Sequence, residues 1–88
     1  MKNIENYREE IDVIDFKIIE LLAERMKIVR EIGQLKKKNN IPILDEKRYG
    51  EIMQSRAKLS EELGLDEKSV KSIFQTIHKA AIKLQKNI

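Results

Sequence analysis

Hydrophobic residues recur at helical spacing from Ile4 to Leu35 of this 88-residue chain. At about 100° per residue they fall on one stripe roughly 100° wide, which is typical of a helix face that meets a core. The stripe consists of Ile4, Tyr7, Ile11, Ile14, Ile18, Leu21, Leu22, Val29 and Ile32. The pattern predicts a first helix from Ile4 to Lys38, which ends before the helix-breaking segment 39–42.

Two shorter helices are predicted after the first. Asp45 is a suitable N-cap for a helix from Glu46 to Leu63, with Gly64 as its C-terminal stop. Asp66 is a suitable N-cap for a helix from Glu67 to Lys86. The expected inner faces are Ile52, Met53, Arg56, Leu59 and Leu63 on the second helix and Val70, Ile73, Phe74, Ile77, Ala81 and Leu84 on the third. The prediction is one all-α domain covering residues 1–88.

The first helix is too long for a compact domain of this size. A helix over residues 4–38 spans about 50 Å, whereas a compact domain of this length is only about 30 Å across. Because the apolar stripe continues along the overhang, we expect a second chain to cover it. The simplest arrangement is an antiparallel, intertwined homodimer, and an ordinary coiled coil is the alternative.

Composition and charge exclude several classes of function. The 18 basic and 15 acidic residues leave a net charge of only +3, which argues against nucleic acid or another large polyanion as partner. The chain has no cysteine and one histidine, His78, for which we expect a structural role, so we expect no metal and no cofactor. No apolar run is long enough for a signal peptide core or a membrane span, and we expect a cytoplasmic protein.

Two cations lie where the first helix should be apolar. Arg25 and Lys36 project from the middle of the stripe, and the residues one turn away from them include no carboxylate. A buried cation without a partner costs several kcal/mol, and arginine cannot lose its proton to avoid that cost. We therefore expect an anion to meet this pair. The alternatives are a carboxylate from another helix beside Arg25, and a Lys36 side chain that extends past the helix end.

Three further polar residues are candidates for the same site. Arg48 lies in the first turn of the second helix, where free N–H groups also favour an anion; a surface position beside neighbouring carboxylates is the alternative. Arg8 lies about 25 Å along the helix from Arg25, so only an antiparallel partner chain can bring both to one small ligand. Gln85 lies at the margin of the third helix's apolar face, where it could donate a hydrogen bond, although an exposed glutamine is the commoner interpretation.

Several short segments carry a family resemblance when they are taken together. In order along the chain they are residues 7–12 (YREEID), 21–26 (LLAERM), 31–36 (EIGQLK) and 42–45 (PILD), then Arg48, Phe74-Gln75 and Leu84-Gln85. In this order and spacing they resemble the all-helical class of chorismate mutases over nearly the full chain. The resemblance implies an intertwined dimer of three-helix chains with two equivalent pockets, each lined by both chains.

The implied reaction is the concerted rearrangement of chorismate, a dicarboxylate, to prephenate, an isomerase activity that requires no nucleophile, metal or cofactor. The resemblance implies that Arg25 and the partner chain's Arg8 hold the carboxylates, with Arg48 adding positive potential beside them. It also implies that Lys36 and Gln85 face the ether oxygen, where negative charge builds in the transition state.

The remaining implied contacts concern the ring hydroxyl and a carboxylate. Asp45 is implied to meet the hydroxyl through its backbone, at the start of the second helix. Tyr49 stands where many members carry a glutamate that receives this hydroxyl, and Ala81 replaces a serine that touches a carboxylate in some members. Both positions are departures from the family pattern.

We therefore expect a free-standing chorismate mutase of aromatic amino-acid (Phe/Tyr) biosynthesis. The first alternative is an isochorismate-pyruvate lyase of the same fold, whose members also lack the glutamate at the Tyr49 position but tend to lack the aspartate present here as Asp45. The second alternative is a non-catalytic helical dimer that binds a regulatory ligand.

Overall fold

The computed structural model describes all 88 residues, which form three α-helices and no strand. Helix α1 spans Ile4–Lys38, α2 spans Glu46–Glu62 and α3 spans Glu67–Lys86. The predicted all-α fold class is confirmed. Helix α2 ends one residue earlier than predicted, because Leu63 serves as its C-cap and Gly64 follows in the left-handed region at φ 73°.

Local contacts set the helix ends that surround the turn between α1 and α2. At the end of α1, Asn40 adopts φ 55°, and the Ile41 N–H donates to the carbonyl of Lys36 at 2.8 Å. At the start of α2, the Asp45 carboxylate accepts a hydrogen bond from the Arg48 N–H at 3.0 Å. These contacts end α1 and begin α2 on either side of the short connection 39–45.

The three helices form an elongated molecule rather than a compact one. Helix α3 packs against both α1 and α2, whereas α1 and α2 do not pack on each other. The dimensions are 58 × 24 × 15 Å, and the radius of gyration is 16.4 Å, against about 12 Å for a compact domain of this length. Every residue from 1 to 21 is exposed, while the buried residues of α1, Val29 and Gly33, lie in its second half. The first half of α1 therefore extends beyond the other two helices.

The apolar stripe of α1 is uncovered in the single chain. Exposed fractions run from 49% to 65% along Ile4, Tyr7, Ile11, Ile14, Ile18 and Leu21. Only six residues are buried in the whole chain: Val29, Gly33, Ile52, Ala57, Ser60 and Ala81. No helix combines the length and the apolar character needed to cross a bilayer.

Within one chain, only part of the expected inner faces of α2 and α3 is covered. Ile52 is buried as expected, but Leu59, Leu63 and Ile73 are all more than half exposed. Small residues of α2 are buried instead, Ala57 and Ser60, and they allow close packing on α3. The spacing of large apolar residues in the sequence does not show which of them are buried by contacts within the same chain.

Candidate functional site

A cavity of about 370 Å³ lies where α1, the turn after it, α2 and α3 meet. Seven of the eight predicted site residues line it: Arg25, Lys36, Asp45, Arg48, Tyr49, Ala81 and Gln85. Apolar side chains complete its wall: Ile28, Val29, Ile32, Ile43, Ile52 and Ile82. This combination of an apolar wall with a few polar groups is typical of small-molecule sites, and so is the volume.

Arg25 is the cation that projects from α1 into this cavity. Its Nη1 atom is buried and has no hydrogen-bond partner, and none of the four ion pairs of the chain includes it. Burial lowers the pKa of the guanidinium, and repulsion by Arg56 and Arg48 lowers it further, yet arginine stays charged at neutral pH. No carboxylate of this chain meets Arg25, so its buried donor is free to bind an anionic ligand.

Lys36 is held at the rim of the cavity by a backbone contact. Its partly buried Nζ donates to the Ile43 carbonyl at 2.8 Å. The side chain therefore does not extend past the end of α1 into solvent, which was the alternative considered from the sequence. An ammonium has three protons to donate, so this contact orients the group and leaves two of them for a ligand.

Arg48 and Asp45 both line the cavity, but they are used differently. The Arg48 guanidinium lies 3.8 Å from the Glu51 carboxylate, and both side chains are more than half exposed. Such a pair contributes little and leaves the arginine available. The Asp45 carboxylate caps α2, so its backbone is what it can offer to a ligand.

Two residues of the cavity were not assigned to a site from the sequence. Arg56 was placed on the inner face of α2, and His78 was given a structural role, yet both line the cavity. His78 packs against Tyr49, with ring centroids 4.3 Å apart and planes inclined by 37°. A usable signal existed, because His78 precedes Ala81 and Gln85 by three and seven residues and so shares their helix face.

The side chains that line the cavity carry an excess of positive charge. Four cations line it, Arg25, Lys36, Arg48 and Arg56, against the single carboxylate of Asp45. Burial lowers the pKa of His78, and the charge of Arg25 lowers it further, which keeps the imidazole neutral at pH 7. The excess of positive charge suits a small ligand with more than one negative charge. Nowhere in the chain do three histidine, cysteine, aspartate or glutamate side chains come together as a metal site requires.

Gln85 and Ala81 form the α3 side of the cavity. The Gln85 Oε1 atom is buried without a partner, and its Nε2 makes only a long contact of 3.4 Å to the Ala81 carbonyl. Ala81 itself is only 6% exposed, and its small side chain leaves space beside the amide. The amide of Gln85 is therefore a polar group whose hydrogen-bonding capacity is largely unused.

Arg8 is the one predicted site residue that this chain does not bring to the cavity. It lies in the exposed first half of α1 and pairs with Glu5 at 2.7 Å, where both side chains are mostly exposed. The distance along the helix to Arg25 is about 25 Å. Within one chain the cavity is therefore lined without Arg8.

Comparison with known proteins identifies the family of this chain. The family model for type II chorismate mutases matches residues 7–86. The chorismate mutase of Methanocaldococcus jannaschii is 34% identical over 87 residues, which cover 97% of this chain and 88% of that protein. The bifunctional chorismate mutase/prephenate dehydratase of Aquifex aeolicus is 34% identical over 91 residues, covering all of this chain but 25% of that protein. A protein of the same name from Buchnera aphidicola is 35% identical over 82 residues, covering 93% of this chain and 21% of that protein. The chain thus spans about a quarter of these bifunctional relatives, and it belongs to the family of type II chorismate mutases.

Proposed function

We propose that this chain catalyses the rearrangement of chorismate to prephenate in the cavity between its three helices. The observation that carries the proposal is the buried, unpaired Nη1 atom of Arg25 among three further cations, in a chain that belongs to the chorismate mutase family. The bifunctional relatives are named for a mutase and a prephenate dehydratase. We accordingly assign the reaction to aromatic amino-acid biosynthesis.

The substrate needs two kinds of contact, and the cavity offers both. Its two carboxylates require cations that hold the folded, chair-like conformer, a role we assign to Arg25, assisted by Arg48. Its ether oxygen gains negative charge as the carbon–oxygen bond breaks and a carbon–carbon bond forms. We assign Lys36 and Gln85 to this oxygen, where one fixed donor contributes about 3–4 kcal/mol.

The contacts to the ring hydroxyl come from the start of α2. The Asp45 side chain is occupied as the N-cap, so we assign this contact to its backbone. Tyr49 lies one turn further along and is held by its ring contact with His78. Its phenolic oxygen offers an uncharged partner for the hydroxyl. Ala81 provides space beside the carboxylate rather than a contact to it.

A second copy of the chain completes this proposed site. The apolar stripe of α1 lies exposed over the half of the helix that carries Arg8. In an antiparallel homodimer this half runs past the middle of the partner's α1, where Arg25 lies. The partner's Arg8 then reaches the second carboxylate of the substrate. The extended shape and the very small core of one chain support this arrangement.

A turnover assay tests the proposed reaction. Purified chain is incubated with chorismate and, separately, with isochorismate, and the products are identified. We expect prephenate from chorismate at an enzymatic rate. Pyruvate from isochorismate as the dominant product would assign the cavity to the lyase reaction instead. A folded dimer that forms neither product would indicate a cavity that binds an anion without transforming it.

We expect the affinity for the dicarboxylate to rise as pH falls. Arg25 on α1, and Arg48, Tyr49 and Arg56 on α2, line the cavity that His78 faces from α3. Burial and the charge of Arg25 lower the pKa of His78. A bound dianion offsets the positive charge and raises that pKa again, so binding takes up a proton. The Michaelis constant should therefore fall as the pH is lowered from neutral to below about 6.5, the ordinary pKa of histidine.

The measurement is the Michaelis constant for chorismate between about pH 5 and pH 8, in the unaltered chain and in the His78→Gln variant. The variant should lose most of the pH dependence. An equal slope in both proteins would show that His78 does not take up the proton.

A further inference from the structure

Gly33 lies in the interior of α1, where a glycine is unfavourable unless packing requires it. Apart from proline, glycine is the residue that most destabilises a helix interior. Gly33 is also buried. Of the other two glycines, Gly64 has φ 73° and ends α2, which explains it. Gly50 lies in α2 with no atom within 4 Å of the place where a Cβ would be. Gly33 is therefore the glycine whose missing side chain matters for packing.

The space beside Gly33 is occupied by the last turn of α3. A Cβ at position 33 would lie 3.0 Å from the Gln85 Cγ and 3.5 Å from the Gln85 Cα. It would also lie 2.5 Å from the Cδ1 atom of Ile88, a side chain that can rotate away. The 3.5 Å to the Gln85 Cα is an ordinary van der Waals contact, whereas the 3.0 Å to its Cγ is too short. Because Cγ lies near the start of the side chain, it has less freedom to move than the end of a side chain. An alanine must displace Gln85 by a few tenths of an ångström.

A second contact joins α1 to the chain just after the end of α3. The Nζ atom of Lys37, one turn after Gly33, donates to the Ile88 carbonyl at 3.0 Å. Two contacts therefore join this end of the chain to α1. Gln85 packs closely on the backbone of Gly33, and the Ile88 carbonyl accepts a hydrogen bond from Lys37. Gln85 lies within this closely packed segment and is also one of the residues that line the cavity.

We propose that Gly33 is a positioning residue, whose absent side chain sets how deeply Gln85 enters the cavity. The inference rests on the proposed function, in which Gln85 faces the ether oxygen. Gly33 touches no substrate itself and acts only through Gln85. Catalytic groups must be held within about 0.5 Å of their productive geometry, and a misplacement of about 1 Å can cost about 10²-fold in rate. A displacement of a few tenths of an ångström uses up most of this tolerance, so we expect the chemical step to slow by up to about tenfold.

The test is Gly33→Ala, with Gly50→Ala as the matched control. We expect Gly33→Ala to lower kcat about tenfold and to change the Michaelis constant by less than about twofold, because the carboxylate-binding cations do not move. Gly50→Ala makes the same chemical change in a helix but meets no neighbour, so kcat should be unchanged and the melting temperature should rise. Equal kcat values for Gly33→Ala and the unaltered chain would overturn the proposal.

Testing Gly33→Ala in two other variants separates an effect on the position of Gln85 from a general loss of stability. In Gln85→Ala chains, adding Gly33→Ala should have no further effect on kcat, because the group through which Gly33 acts is gone. A full additional tenfold loss would overturn the proposal. In Ile88→Ala chains the shortest contact is removed and folding is protected, and Gly33→Ala should still lower kcat about tenfold. Recovery to the Ile88→Ala value would show that Gln85 is not the residue displaced.

A measurement made without substrate shows whether a failed test concerns the role of Gly33 or the proposed function. The side-chain amide resonances of Gln85, observed by NMR, should shift in Gly33→Ala and stay in place in Gly50→Ala. If the resonances shift but the unaltered chain does not turn over chorismate, the function is wrong and the positioning stands. If the chain is active and neither the resonances nor kcat change, the positioning is wrong and the function stands.

Discussion

Replacing Arg25 with alanine is expected to remove nearly all turnover of chorismate while the helical fold is retained. The variant loses the one cation whose donor is buried and free. Loss of a cation that holds the dianion in its folded conformer should lower kcat/KM by at least about 10²-fold. Stability should not fall, because repulsion by Arg56 and Arg48 disappears together with the buried charge.

The matched control for this variant is Arg30→Ala, which removes an exposed arginine of the same helix that lies outside the cavity. Steady-state kinetics and thermal melting followed by circular dichroism are measured for both variants. Arg30→Ala should keep activity and helicity close to those of the unaltered chain. If Arg25→Ala unfolds the protein, Arg25 is a structural residue and its assignment to substrate binding is wrong.

Replacing Arg8 with alanine should reduce turnover nearly as much, although Arg8 lies far from the cavity of its own chain. In the proposed dimer the partner's cavity uses Arg8 to hold the second carboxylate, so each substitution removes one anchor of the dianion. We expect a loss of about 10²-fold or more in kcat/KM.

Glu5→Ala is the control for Arg8→Ala, because it removes the residue that pairs with Arg8 inside the chain. That pair is exposed and contributes little, so turnover should stay within about twofold of the unaltered value. Unchanged kinetics in Arg8→Ala would mean that one chain forms the complete site.

The helices could be predicted from the sequence because their signals are local. The apolar spacing of α1, the caps at Asp45 and Asp66 and the left-handed Gly64 each act within a few residues. The error at the end of α2 was one residue, which reflects the gradual end of a helix at Leu63.

Part of the site could also be predicted from the sequence. A cation on an apolar stripe is visible without a structure, and this signal identified Arg25 and Lys36. The family resemblance supplied the roles of the remaining predicted residues. Arg56 was placed on the inner face of α2 without a role, and the helix face that His78 shares with Ala81 and Gln85 was not used as a signal, so neither residue was assigned to the cavity.

Other features depend on how the helices pack. The contact between Tyr49 and His78 joins two helices, and its geometry follows from the packing of α2 on α3. The depth of Gln85 depends on the approach of α3 to Gly33, which no local pattern encodes. The exposure of Leu59 and Leu63 likewise depends on which side chains meet within the chain.

The central claim is that two chains share each site, and subunit mixing tests it most directly. Arg8→Ala and Arg25→Ala chains, each nearly inactive alone, are unfolded together in equal amounts and refolded, and native mass spectrometry verifies that mixed dimers form. Half of the dimers should be mixed, and each has one cavity free of both substitutions, so about a quarter of the unaltered activity should return. A mixture that contains mixed dimers but has no more activity than the two parent variants would contradict the shared site.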